Sequence, residues 1–244
     1  MIRAAALLTV VTLAMQLPLK YPDTRKDSIV EDHFGASIAD PYRWLEDDNS
    51  PETTAWVEAQ NKVTFPYLES LPQRERITRR LTELWTYERY GLPHKEGPWF
   101  VFSRFAEGNK QPIIYRAKEL NAPPVKENVL IDPHVFAADG TVAISGLAFT
   151  KDGSKVAYGL SSGGSDWVEW RVRDVATGAD LPDVVKWSKF SGASWVPDGR
   201  GFFYGRYAEP KAGDELQGVN QNQKVYFHRL GTSQTEDTLV YERP

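Results

Sequence analysis

Two similar stretches, "GLAFTKDGSKVAYGL" at 146–160 and "GASWVPDGRGFFYGR" at 192–206, indicate the fold of this chain. Each combines small residues, an aromatic residue and an Asp-Gly pair with an alternating run, which is typical of a tight turn followed by a strand. The aspartates of the two pairs, Asp152 and Asp198, are 46 residues apart, and Gly97 in "HKEGPWFVFSRF" marks a weaker, earlier copy. A period of about 40 to 50 residues in β-rich sequence predicts β-propeller blades, each a four-stranded antiparallel sheet.

The repeated region extends over residues 91–244 and has room for about three such blades. Because a propeller needs about four blades or more to close into a ring, we expect an open array. The predicted fold class is therefore mainly β with an α-helical N-terminal segment, continuing into a partial, open β-propeller of about three blades.

Residues 20–90 have a helical and polar character. Ser50 is a favourable N-cap and Pro51 suits the first helical position, so a helix is predicted to begin there, with Pro66 ending or kinking it. A second helix is predicted from about Gln73 to Trp85, and its apolar stripe consists of Ile77, Leu81, Leu84 and Trp85.

The first residues, 1–19, contain Arg3 followed by an apolar run from Ala4 to Ala14. This run has the length of a signal-peptide core and is too short to cross a bilayer. We expect a signal peptide and a periplasmic or secreted protein; the alternative is a buried N-terminal helix in a cytoplasmic protein.

Composition excludes several classes of function. The chain has 244 residues and a formal net charge of -4 without a lysine or arginine run, so binding to nucleic acid is disfavoured. The absence of cysteine excludes thiolate metal sites and a cysteine nucleophile. None of the four histidines has a catalytic or zinc-ligand spacing, and we expect no metal and no cofactor; they are His33, His94, His134 and His228.

The stretch Gly159-Leu160-Ser161-Ser162-Gly163 fits the G-x-S-x-G pattern of serine hydrolases. That pattern carries chemistry only where a strand turns sharply into a helix. The following residues, "SDWVEWRVRDV", have the alternation of a strand, so a hairpin is predicted, and Ser161 is not expected to be a nucleophile.

Longer stretches of the chain closely resemble the N-terminal part of the prolyl oligopeptidase family. The most diagnostic are "DPYRWLED" at 40–47 and "GSDW" at 164–167, and the resemblance extends over about residues 21–244. The chain departs from the family pattern at "DHFG", 32–35, where the family favours Tyr-His-Gly, and at His134, where it favours asparagine. Neither departure affects a residue of the chemistry.

The resemblance implies a two-part enzyme: an α/β-hydrolase domain with a Ser, Asp and His triad, capped by a seven-bladed propeller that admits only short peptides. It implies that the helical segment lies against the hydrolase domain and that the triad belongs to that domain. No residue of this chain is therefore assigned a catalytic role.

The resemblance does assign substrate-side roles to three residues. Phe190, in "KFS", matches the propeller phenylalanine that packs against the peptide residue two before the proline; the alternative is a core residue that ends a strand. Asp166 and Trp167 match the interdomain region, with Asp166 a candidate partner of a substrate-binding arginine of the hydrolase domain. Their alternatives are a hairpin-tip carboxylate and a core tryptophan.

These expectations define one function and one alternative. The chain is predicted to be the propeller-side portion of a serine endopeptidase that cleaves short peptides after proline, its partners being such peptides and the missing hydrolase domain. The alternative is a stand-alone, non-catalytic binding protein built from propeller-like blades. The sequence leaves open the peptide preference beyond proline, the oligomeric state, and whether the truncation is biological.

Overall fold

A computed structural model describes residues 19–213, 215 and 218–243. The predicted signal peptide, residues 1–19, lies outside the described residues except for Leu19. The chain divides into two compact units between Thr82 and Glu83. No helix in the described part has the length and apolar character needed to cross a membrane.

The N-terminal unit combines one hairpin with two helices. Its elements are β1 (Val30–His33), β2 (Ala36–Ala39), a 3-10 turn (Arg43–Glu46), α1 (Pro51–Ser70) and α2 (Arg74–Trp85). The last three residues of α2 lie beyond the boundary between Thr82 and Glu83. β1 and β2 pair antiparallel, and Phe34 at their turn is fully exposed with a φ of 56°.

The predicted start of α1 is confirmed, because the Ser50 hydroxyl accepts a hydrogen bond from the Thr53 amide at 3.1 Å and Pro51 follows the cap. Pro66 was predicted to end or kink the helix; it does not end it, since α1 continues to Ser70, and the kink stays a prediction. An interior proline removes one backbone donor and crowds the carbonyl four residues before it, a cost of about 3 kcal/mol, and α1 nevertheless completes one more turn after Pro66.

The second helix, α2, matches the predicted range and exposes its apolar stripe. Ile77, Leu81, Leu84 and Trp85 are each about half or more exposed, at 52%, 50%, 48% and 64%.

The second unit consists of three antiparallel sheets that follow one another along the chain. The first sheet contains β3 (Arg89–Tyr90), β4 (His94–Glu96), β5 (Trp99–Phe105), β6 (Ile113–Ala117) and β7 (Val129–Ile131), in the order β3-β5-β6-β7 with β4 also paired to β5. The second sheet is a meander of β8 (Val142–Phe149), β9 (Lys155–Ser162), β10 (Val168–Asp174) and β11 (Asp180–Ser188). The third sheet repeats that meander with β12 (Ser194–Trp195), β13 (Gly201–Arg206), β14 (Lys224–Arg229) and β15 (Thr238–Tyr241).

The sheets stack through two hydrophobic layers, and β9 contributes to both. Val156 and Tyr158 are buried against the first sheet, whereas Ala157 between them is buried against the third sheet. Side chains of a strand alternate between its two faces, so a strand between two sheets is apolar on both sides. Within the described residues the sheets do not close into a ring, and the predicted mainly β, open architecture with an α-helical N-terminal segment is confirmed.

The repeated Asp-Gly pairs form equivalent turns. Gly153 and Gly199 connect the first two strands of the second and third sheets with φ of 70° and 68°, a conformation that favours glycine. Gly97 takes the equivalent place between β4 and β5, where its φ is 55°. A Cβ on Gly97 would overlap the carbonyl oxygen of Asp152, so two turns of neighbouring sheets meet backbone to backbone.

Candidate functional site

The three predicted site residues lie at one end of the second and third sheets. β9 ends and β10 begins at this end, and β11, antiparallel to β10, also ends here. The β9–β10 turn (163–167), the β11–β12 connection (189–193) and the described residues of the β13–β14 loop (207–213, 215 and 218–223) therefore meet, and we call this surface the loop end.

Trp167 holds these segments together. Its ring packs edge to face on Trp187 and Tyr207, with centroid distances of 5.5 and 6.1 Å. Its indole N–H donates to the Glu215 carbonyl at 2.6 Å, and its backbone N–H donates to the Ser165 hydroxyl at 3.1 Å. The side chain is partly buried within this chain; its interdomain role stays a prediction.

Phe190 is held out of the core. It is 65% exposed with a φ of 52°, so the alternative of a core residue is wrong. Both neighbours are fixed: the Gln223 amide donates to the Lys189 carbonyl at 2.8 Å, and the Gly205 N–H donates to the Ser191 hydroxyl at 2.8 Å. Left-handed backbone at a non-glycine residue costs on the order of 1 kcal/mol or more and persists only where surrounding contacts impose it.

Lys189, which precedes Phe190, is a site residue that the sequence reasoning missed. It is 6% exposed, its ammonium lies 4.0 Å from the centroid of the Trp167 ring, and it donates to the Asn220 amide oxygen at 3.2 Å. A cation over an indole face is attracted by the ring quadrupole. This contact ties the β11–β12 connection to the β9–β10 turn.

A bulge in β11 explains why the alternation of the strand fails at this end. The pairing shifts from Trp170 with Val185 to Val168 with Ser188, which leaves one extra residue in β11, and Trp187 in that segment has a φ of 62°. Bulges bend a strand and re-aim its side chains. No sequence signal marks this bulge, because tryptophan rarely adopts a positive φ.

Asp166 is exposed at the tip of the β9–β10 turn. Its carboxylate makes no hydrogen bond or ion pair with another side chain of the described residues, so it is free for an external cation.

Ser161 lies in β9, and the predicted hairpin is confirmed because β10 follows the turn. Its hydroxyl donates to the carbonyl of Ser165. Of the histidines, His33, His94 and His134 each pair with a nearby carboxylate, and none of the four forms a hydrogen bond with a serine hydroxyl within the described residues. Within the described part, no group of three or more histidine, aspartate or glutamate side chains is arranged so that it could hold a metal ion.

His228 forms a buried charged cluster in the third sheet. Its two ring nitrogens lie 3.1 Å from Asp183 and 2.7 Å from Asp237, all three side chains being at most 1% exposed. Burial opposes a charged ring, but the hydrogen bonds and charges of Asp237 and Asp183 outweigh it and raise the pKa of His228. The Tyr204 hydroxyl and the Gly231 N–H also donate to these carboxylates, each at 2.6 Å. This cluster is structural, since it is sealed from solvent.

Comparison with known proteins shows what the chain is similar to. The family described as "Prolyl oligopeptidase, N-terminal beta-propeller domain" matches residues 21–244. A prolyl endopeptidase of Elizabethkingia meningoseptica is 40% identical over 222 residues, covering 91% of this chain and 31% of that relative. A prolyl endopeptidase of Dictyostelium discoideum is 30% identical, covering 93% of this chain and 36% of that relative.

Solved structures of similarly named proteins also superpose on this chain. A structure from a study of two prolyl endopeptidases superposes with a TM-score of 0.80 at 32% identity, covering 92% of this chain and 33% of that one. Prolyl oligopeptidase B from Galerina marginata, bound to a 35mer hydrolysis and macrocyclization substrate, superposes with a TM-score of 0.80 at 27% identity, covering 94% of this chain and 34% of that one. The chain spans about a third of the length of the relatives it matches.

Proposed function

The chain belongs to the prolyl oligopeptidase family, and from that premise we propose that it forms the propeller side of a serine endopeptidase that cleaves short peptides after proline. The Ser, Asp and His triad would come from a hydrolase domain, which the matched third of the relatives does not include. The role of this chain is to admit and position the peptide, without a cofactor.

The observation that carries the proposal is the presentation of Phe190. An aromatic side chain 65% exposed, on a left-handed backbone fixed on both sides, is suited to contact an apolar group of a ligand. We propose that this group is the peptide residue two before the proline. Asp166 in turn is proposed to pair with an arginine of the hydrolase domain that also binds substrate.

The exposed stripe of α2 is proposed to lie against the hydrolase domain. Its four apolar side chains are each about half exposed or more, and contiguous apolar surface of this kind usually marks a contact with another domain. The residue types of 1–19 further support export, with the mature chain beginning near residue 20. The mass of the protein recovered from the periplasm or medium tests export, and an intact leader there would contradict it.

A chimera tests the proposed function. In the Elizabethkingia meningoseptica prolyl endopeptidase, the segment that matches this chain is replaced by residues 21–244. We expect the chimera to cleave a chromogenic peptide after proline and to leave the same peptide intact when alanine replaces the proline.

A second measurement on the chimera distinguishes an incorrect proposal from a chimera that fails to fold. A fluorophosphonate probe reports whether the triad of the relative is assembled. A chimera that reacts with the probe and binds no proline peptide would contradict the proposal. In that event a stand-alone binding protein becomes the better interpretation.

A further inference from the structure

Arg206 is a cation without a carboxylate partner at the loop end. Within the described residues no carboxylate oxygen lies within 4.0 Å of its guanidinium, although Arg171 and Arg173 of the second sheet are each paired at 2.7 Å. The Arg206 Nη1 reaches only neutral oxygens, at 3.3 Å on the Tyr204 hydroxyl and 3.4 Å on the Gln234 carbonyl. A guanidinium has five N–H donors, and none of those of Arg206 has a carboxylate acceptor among the described residues.

This guanidinium lines a cleft of about 540 Å³. We call it the Arg206 cleft, and its walls are formed by Trp187, Arg206, Tyr207, Lys224, Tyr226 and Gln234. The Arg206 Cζ lies 3.6 Å from the centroid of the Tyr226 ring, which holds the plane of the guanidinium fixed. The volume lies within the range of small-molecule sites, about 300 to 1,000 Å³.

Backbone strain is concentrated around the cleft. Trp187 and Asn222, both lining residues, have φ of 62° and 59°, and only two other described non-glycine residues have a positive φ. Such conformations cluster at ligand sites because the structure must impose them.

The charges of the cleft select the ligand. Lys224 is already paired with Glu242 at 2.6 Å, and the exposed Glu209 stands at the rim. The Arg206 guanidinium thus has no ion pair within the described residues, and the Glu209 carboxylate lines the same cleft, so we expect a monoanion to bind better than a dianion. Planar two-point recognition by arginine fits a carboxylate.

We propose that the Arg206 cleft binds the free carboxyl end of a peptide. The terminal carboxylate accepts hydrogen bonds from Arg206, and an apolar or aromatic last side chain packs among Trp187, Tyr207 and Tyr226. The site is distinct from Phe190, and its existence does not depend on the proposed peptidase function.

Two peptides test this on the 244-residue chain. Acetyl-Ala-Ala-Phe with a free carboxylate and the same peptide as its C-terminal amide are titrated by calorimetry. We expect saturable binding of the acid, and binding about tenfold or more weaker for the amide, the effect of losing a charged hydrogen bond. Equal binding of the two peptides, or no saturation by either, would overturn the proposal.

Four variants and one competitor complete the test. Arg206→Gln should weaken binding of the free-acid peptide by about tenfold or more, and Arg206→Lys should weaken it by an intermediate factor. Glu209→Gln should tighten binding, and the exposed control Arg200→Gln should leave it unchanged. Inorganic phosphate that competes better than the peptide acid, or an Arg200 effect as large as that of Arg206, would overturn the assignment. If Arg206→Gln fails to fold, the acid and amide comparison on the native chain still decides.

Discussion

Phe190 and Phe34 make a matched pair for measuring the substrate contact. Both are exposed phenylalanines with left-handed backbone, at φ of 52° and 56°, but only Phe190 lies at the loop end. Phe190→Ala and Phe34→Ala therefore remove the same group from the same backbone conformation. In the chimera with the relative's catalytic domain, we expect only Phe190→Ala to change substrate selection.

The exposed area sets the size of the effect. An aromatic side chain offers about 200 Å², so an exposure of 65% leaves about 130 Å² available for contact. At about 25 cal/mol per Å², complete coverage would contribute about 3 kcal/mol. A single peptide side chain covers about half of that area, which gives about 1.5 kcal/mol, or about tenfold in kcat/KM.

The assay compares two substrates that differ only two residues before the proline, with phenylalanine in one and glycine in the other. Phe190→Ala should lower kcat/KM about tenfold for the first and little for the second, because glycine has no side chain to contact the ring. Phe34→Ala should change neither. Equal losses for both substrates with Phe190→Ala would show that Phe190 supports the fold, and no loss for either would exclude the contact.

Four further results are expected. A fluorophosphonate probe should not label Ser161 of the folded chain, and no proline amide should be hydrolysed, whereas stoichiometric labelling would refute the hairpin argument. Since the pKa of His228 is raised, its contribution to stability is complete below the unfolded value of about 6.5 and is lost as pH rises through the folded value. In urea unfolding, the free energy of unfolding should fall as the pH rises through the folded pKa of His228. His228→Gln should lower the free energy of unfolding by about 3 kcal/mol or more at low pH and should make it less dependent on pH. An unchanged pH dependence in the variant would contradict this. Gly97→Ala should destabilise more than Gly163→Ala, because both have positive φ but a Cβ meets the neighbouring sheet only at Gly97; equal Tm losses would contradict this. The chain alone should self-associate through the face of the third sheet that carries Phe203 and Phe227, opposite the face that buries Phe202 and Tyr204. A monomer by light scattering that also melts cooperatively would argue against this.

Local features of the fold were predictable because they depend on local physics. The Asp-Gly pairs gave the first turn of the second and third sheets, since a tight turn with positive φ favours glycine wherever it occurs. Ser50 and Pro51 gave the start of α1 for a similar reason. Pro66 does not end α1, because a proline disfavours the interior of a helix without excluding it, and residues 67–70 still form a helical turn.

The site was predictable only in part. The resemblance pointed to Phe190, but nothing in the sequence reveals its left-handed backbone, which depends on Gly205 of the third sheet and Gln223 of the β13–β14 loop. Lys189 and Trp167 are 22 residues apart in the chain, and the contact of the ammonium with the indole ring forms only in the fold, directly after the bulge of β11. Arg206 could not be identified from the sequence, because its lack of a carboxylate partner within the described residues is a property of the fold. Contacts between segments distant in the chain decide each of these features.

The attachment of the Phe190 segment to the third sheet limits how its specificity can be transplanted. The segment leaves the second sheet, yet Gly205 of the third sheet and Gln223 of the β13–β14 loop hold it by hydrogen bonds to Ser191 and Lys189, the residues on either side of Phe190. Gly205 also has no room for a side chain, because a Cβ there would lie 2.7 Å from the Gln223 amide nitrogen and 2.9 Å from Ser191. A graft of residues 189–191 alone would therefore transfer the phenylalanine without the contacts that fix its orientation. The smallest portable unit is two adjacent blades, and enzyme engineers should exchange them together.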